Sequence, residues 1–295
     1  MKKKLGILLH WENFSEYYCQ ELAKAVSNVY DSFITYDASH DFSNCDVALE
    51  FFPKGHFKSN KRNALRLFWE PHEYGELDPP IYLNAACCLR TFKELLREEE
   101  ARNYPKNTFY VPMGINTKHF FPQPFPNKEK LQIGWAGAAT NLRKQFLELK
   151  KCIESIEGVE FIPNVMSYVS GKAVGPIEKT NQMGEYYKTI DVYTCSSLVE
   201  GFCLPLLEAS ACGRPIITFD VGITSELKEQ GAGVIIVEDF EEMKKEIIKL
   251  RDNRYLLPEL GKKSSKAVVD NWSWEVVGHL WMDLFKKAEE NAKRK

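Results

Sequence analysis

Ser196-Ser197-Leu198-Val199-Glu200-Gly201-Phe202-Cys203-Leu204-Pro205-Leu206-Leu207-Glu208-Ala209-Ser210-Ala211-Cys212-Gly213-Arg214-Pro215-Ile216-Ile217-Thr218 is the stretch that decides the fold. It reads as a loop, a short buried helix and a strand. Pro205 suits the first helical position, where its fixed φ and missing N–H do no harm, and Leu206, Leu207, Ala209 and Ala211 carry the helix onward. Gly213 serves as a left-handed cap. Pro215 bars continuation, and Ile216-Ile217-Thr218-Phe219 is a β-branched and aromatic run suited to a parallel sheet.

Glu200 and Glu208 bracket this helix start, with the amides of Gly201, Phe202, Cys203 and Leu204 between them. A loop entering a helix N-terminus offers unpaired N–H groups and the positive end of the helix dipole, which favours phosphate. Carboxylates are poor neighbours for phosphate and good acceptors for sugar hydroxyls. The order Glu200, amides, Glu208 therefore suits a ligand ordered sugar, diphosphate, ribose. The pattern S-L-V-E-G-F-x-L-P-L-L-E-A-x-A-x-G-x-P resembles the E-x7-E signature of glycosyltransferase family 4, the retaining GT-B enzymes.

Other segments carry the same resemblance. Val111-Pro112-Met113-Gly114-Ile115-Asn116 through Phe121-Pro122 is similar to the family's P-N-G-V-D-x-x-x-F-x-P segment, which closes its first domain. Met113 and Asn116 replace the usual Asn and Asp. Leu131 to Gly137 repeats the apolar-strand, glycine-loop order that opens the chain at Leu5-Gly6-Ile7-Leu8-Leu9, as two Rossmann-like domains in tandem would. The loop from Gly137 to Lys144 corresponds to the family loop whose Arg and Lys neutralise the donor diphosphate. Lys144 fits the second position; Ala138 or Ala139 stands where the Arg would be, and Arg143 is the substitute cation. His72, after the run Leu65-Arg66-Leu67-Phe68-Trp69, lies near where the family sets a His or an acidic residue against the donor sugar. The loop from His10 to Glu16 lacks the glycines the family often has there.

The resemblance implies an α/β protein of GT-B type, two Rossmann-like domains facing each other across a cleft, with the last helix crossing back to the first. The boundaries expected are 1–124, 125–275 and a returning helix at 276–295, the proline-rich Gln123-Pro124-Phe125-Pro126 acting as linker. It implies a retaining transfer of a sugar from a nucleoside diphosphate sugar to a hydroxyl of a sugar, lipid-linked or other acceptor. The residues carried over are Glu200, Lys144, Arg143 and His72 for catalysis, and Gly137, Gly201, Phe202, Cys203, Leu204 and Glu208 for the nucleotide sugar. No cofactor and no metal are expected, because the sequence holds no D-x-D carboxylate pair. The alternative is a catalytically silent sugar-nucleotide-binding protein of the same fold. A dinucleotide oxidoreductase would need G-x-G-x-x-G after the first strand, and Leu9-His10-Trp11-Glu12 has none.

Composition agrees with this reading. The 295 residues, 44% of them hydrophobic, suffice for two cores. A net charge of -2 gives no reason to expect nucleic acid as partner. The apolar run behind Met1-Lys2-Lys3-Lys4 is too short for a signal peptide, so a cytoplasmic protein is expected. The eight cysteines, without a C-x-x-C pair or zinc-type spacing, read as reduced thiols. The basic end, Lys286-Lys287 and Lys293-Arg294-Lys295, reads as a solvated tail, while a peripheral membrane contact there would suit a lipid-linked acceptor. Two helix starts are also expected, a capping box at Thr91 and Glu94 and a Thr224 or Ser225 cap. Residues 164–182 read as a long loop.

Overall fold

The structure is a computed structural model that describes residues 1–9, 14–37, 39–51, 64–68, 83–103, 106–169, 172–174 and 182–293. Its contacts divide the chain into two units, one of residues 1–114 with 274–295 and one of residues 115–273.

The first unit opens β1 (Lys3–Leu8), α1 (Phe14–Ala25), β2 (Tyr30–Thr35), β3 (Val47–Phe51), β4 (Ala64–Phe68), β5 (Leu83–Ala86), α2 (Leu89–Ala101) and β6 (Thr108–Tyr110). The six described strands form a parallel sheet in the order β2-β1-β3-β4-β5-β6. Leu5, Ile7 and Leu8 are buried, as are all five residues of β3, which is why these strands read as continuous apolar runs. Glu50 and Arg66 are register partners on β3 and β4 and form a buried ion pair at 3.8 Å. The capping box is not formed. Helix α2 begins at Leu89 on Cys88 as N-cap, three residues early, and Thr91 is a buried residue of its first turn whose Oγ1 lies 3.2 Å from Cys88 Sγ.

The second unit comprises β7 (Leu131–Ala138), α3 (Phe146–Glu154), β8 (Val159–Val169), β9 (Lys172–Val174), α4 (Met183–Tyr187), β10 (Val192–Cys195), α5 (Leu204–Ala211), β11 (Ile216–Thr218), α6 (Thr224–Glu229), β12 (Val234–Ile236), α7 (Phe240–Asp252) and α8 (Leu257–Trp272). Its sheet runs β12-β11-β10-β7-β8-β9, parallel except for the β8–β9 hairpin. Leu131, Ile133 and Trp135 of β7 share a core with Ile153 of α3, Val192 of β10, Ile217 of β11 and Met243 and Ile247 of α7. Residues 164–169 are not loop: β8 stays in register with β7 as far as Ala138↔Met166 and then turns back into β9. Val165, Tyr168 and Val169 are residues that strands favour, and the backbone groups here are satisfied by pairing. Helix α6 likewise lacks the expected cap. Ile223 precedes it, and the Thr224 hydroxyl donates to Val221 O at 2.5 Å.

The last helix, α9 (Trp274–Lys293), belongs to the first unit. Trp281, Leu284, Phe285 and Ala288, spaced three and four apart, are its buried face. Trp281 Nε1 donates to Pro112 O at 3.0 Å, and a Cβ on Gly114 would stand 2.3 Å from the Trp274 ring. The division at 114/115 falls ten residues before the sequence-based boundary at 124/125, and the second crossing is at 273/274 rather than 275/276. The physical reason lies in residues 115–124. Ile115 N donates to Trp272 O at 2.8 Å, Gln123 N to Cys212 O at 3.2 Å, and the Arg214 guanidinium to the carbonyls of Gln123 and Pro124 at 3.0 and 2.8 Å. The proline-rich stretch is thereby docked on the second unit.

Candidate active site

The candidate site lies within the second unit, at the C-terminal ends of β7 and β10 and the start of α5. Open α/β sheets bind ligands at this rim. After β10 the chain is stapled to the 3-10 turn Leu142–Lys144 that follows β7. Ser196 Oγ donates to Lys144 O at 2.8 Å, and Leu198 N donates to Arg143 O at 2.8 Å. This brings the Lys144 ammonium to Glu200 Oε1 at 2.6 Å, and the Ser197 hydroxyl donates to the same oxygen at 2.6 Å. Gly137 leaves room for the lysine stem: its φ is +155°, and a Cβ there would sit 3.0 Å from Lys144 Cδ. Burial works against the Lys144 ammonium, but the Glu200 carboxylate outweighs it and holds the amine above the ordinary lysine range. The cation is permanent at neutral pH.

Helix α5 enters through a strained residue. Cys203, its N-cap, has φ 65° and ψ 68°, a left-handed conformation more usual for glycine. Among the described residues the amides of Cys203 and Leu204 meet no acceptor. Pro205 is the second helical residue, one place later than the sequence predicts but still in the first turn, where its missing N–H does no harm, and Gly213 closes the helix with φ 72°. The loop before α6 braces this entry: Ile223 N donates to Phe202 O at 3.1 Å, and a Cβ on Gly222 would lie 2.5 Å from that oxygen.

One turn inside α5, Glu208 is only 3% exposed and accepts from the Tyr187 hydroxyl at 2.7 Å. Burial first, and then the Glu208 charge, push the Tyr187 phenol well above its ordinary range, so it remains a neutral donor. Below the helix start, Cys195 and Cys203 place their sulfurs 3.9 Å apart. The hydrogen bond shared with Cys203 holds the Cys195 thiol below its usual range, and the same bond raises Cys203.

The structure thus gathers Gly137, Lys144, Glu200, Gly201, Phe202, Cys203, Leu204 and Glu208 into one region of one unit. Arg143 is exposed on the 3-10 turn beside Lys144. His72 and the loop residues His10 to Asn13 lie outside the described residues. Sequence reasoning missed Tyr187, Ser196, Ser197 and Cys195. Only the two serines adjoin the motif and carried a legible signal.

Residues 128–253 match the family model described as Glycosyl transferases group 1. The match lies within the second unit, and with two parallel-sheet Rossmann-like units the chain has the GT-B fold. Among curated proteins it is similar to a probable sucrose-phosphate synthase of Thermosipho melanesiensis, 29% identical over 205 residues, covering 61% of this chain and 47% of the relative. It is also similar to an MMP alpha-(1->4)-mannosyltransferase of Mycolicibacterium hassiacum, 24% identical over 203 residues, covering 62% and 49%. The chain spans about half the length of these relatives. Among solved structures, a glycosyltransferase from Rickettsia africae superposes with a TM-score of 0.73 at 12% identity, covering 98% of this chain and 99% of that one. Anabaena HepE in complex with UDP and glucose gives 0.66 at 10% identity, covering 97% and 100%. Among the described residues no helix is long and apolar enough to cross a membrane.

Proposed function

We propose that the chain is a retaining glycosyltransferase that moves a hexosyl or related sugar from a nucleoside diphosphate sugar to an acceptor hydroxyl without a metal ion. The observation that carries this reading is the Lys144–Glu200 pair, 2.6 Å apart, at the entrance to α5, where among the described residues the amides of Cys203 and Leu204 meet no acceptor. Charge builds on the leaving diphosphate during such a transfer, and prearranged amides with a fixed cation are suited to stabilise it. In this reading Lys144, with Arg143 beside it, faces the diphosphate together with the amides of residues 201–204. Glu200 receives hydroxyls of the donor sugar, and Glu208, oriented by Tyr187, receives the ribose hydroxyls. In the free site Lys144 and Glu200 neutralise each other, and donor binding exchanges that contact for phosphate and sugar. The alpha-linkages in relatives' names, such as that of the mannosyltransferase, support a retaining outcome. A sugar or lipid-linked acceptor and a cytoplasmic location belong to the same proposal.

The test is a thermal-shift panel of UDP-, GDP- and ADP-sugars, followed by donor-hydrolysis assays on any stabilising donor. One donor class should raise the melting temperature and be turned over. Stabilisation without release of nucleoside diphosphate against varied acceptors would indicate a silent binding protein instead. Glu208→Gln keeps an acceptor for Tyr187 and removes the charge. It should weaken the nucleotide by about 1.5 to 3 kcal/mol, roughly 10- to 150-fold. Unchanged affinity by calorimetry would refute the ribose role.

A further inference from the structure

The floor of this site holds two thiols, beside Glu200, that its proposed chemistry does not use. Cys195 Sγ, Cys203 Sγ and a carboxylate oxygen of Glu200 all lie within 4.8 Å of one another, and the two sulfurs are 3.9 Å apart. Tetrahedral zinc with bonds of about 2.3 Å to sulfur requires two thiolates just under 4 Å apart. The pair is already spaced to bind one ion without backbone movement. Cys203 is held in a left-handed conformation that glycine would adopt at lower cost, yet a thiol stands there and meets Cys195.

We propose that Cys195, Cys203 and Glu200 form a binding site for a thiophilic divalent cation of the zinc class, and that the bound ion competes with the sugar nucleotide. Two thiolates and one carboxylate supply three negative charges, which the dication and the neighbouring Lys144 ammonium balance. Binding releases the thiol protons to solvent and leaves a fourth tetrahedral position for water. Coordination takes Glu200 away from sugar hydroxyls and sets an ion beside the α5 entrance, so occupancy inhibits. The competition rests on the function proposed above; the metal site does not.

The experiment titrates the full chain, kept reduced, with cobalt(II) and follows thiolate-to-cobalt charge-transfer absorption in the near ultraviolet. One cobalt per chain should bind and be displaced by zinc. Cys195→Ser and Cys203→Ser should each abolish the charge-transfer pattern of the pair, Glu200→Gln should weaken binding at least tenfold, and Cys152→Ser should change nothing. Since a buried serine can compromise folding, zinc-loaded wild-type protein is also measured by X-ray absorption, where two sulfur neighbours at about 2.3 Å are expected. No charge-transfer band in wild type, a band that survives both cysteine substitutions, or a zinc shell without sulfur overturns the site. Zinc that binds yet leaves nucleotide-sugar affinity untouched overturns the competition. If the metal-free protein binds no nucleotide sugar, the proposed function fails while the spectra still decide the metal site.

Discussion

At the residue scale the site depends on side chains that are small or absent. Gly137 combines a φ of +155° with a Cβ direction aimed at the Lys144 stem. Gly137→Ala should cost about 1 to 3 kcal/mol of stability in backbone strain. It should also displace the ammonium from Glu200, so donor affinity falls further than the stability loss explains. Calorimetric binding at a temperature well below the melting point separates the two effects; unaltered affinity would show that the lysine position does not matter. The glutamates were legible in the sequence because both lie in one motif. Tyr187 was not, because it reaches Glu208 from a different helix, and the Cys195–Cys203 contact follows from a left-handed Cys203 that nothing in its neighbours demands.

At the scale of elements, α5 was readable because Pro205, the apolar run and Gly213 all specify the same boundaries. The α2 start was misread because a capping pattern at Thr91 competes with a helix that must begin as soon as β5 ends. The hairpin from β8 into β9 was hidden because its short strand runs, N-V-M-S-Y-V and K-A-V, sit in a longer stretch rich in Gly, Ser and Lys, and the pairing partner of β8 is β7, elsewhere in the sequence. The elements around α5 also carry a pH dependence. Tyr186, Tyr187 and Tyr193 form a contiguous ring cluster, and burial is the largest cause raising each phenol above its ordinary pKa near 10. A raised folded pKa means stability that is complete below pH 10 and is lost as pH rises, because the unfolded chain gives up protons that the native one keeps. Above pH 10 three such groups contribute a slope of about -4 kcal/mol per pH unit. Tyr187→Phe should flatten this by about a third in urea melts between pH 9 and 11. An unaltered slope would show that Tyr187 titrates normally.

At the scale of the whole molecule, the repeated strand-loop-helix opening announced two α/β units, while the place of their division depended on contacts between distant residues. Arg214, fully buried, ties the carbonyls of residues 123 and 124 to the second unit, and α9 returns to the first. Trp281→Ala removes a fully buried ring from α9 and its bond to Pro112, and should destabilise the first unit by about 3 to 5 kcal/mol. Nucleoside diphosphate affinity should change by less than the factor produced by substitutions in the second unit, since every described residue assigned to the nucleotide lies there. Lys144 and the α5 entrance form the proposed diphosphate site. Isothermal titration of wild type and Lys144→Met with the nucleoside diphosphate selected by the thermal-shift panel tests this directly. The prediction is measurable binding to wild type and at least tenfold weaker binding to the variant, with the melting temperature nearly retained; equal affinity for both proteins would contradict it.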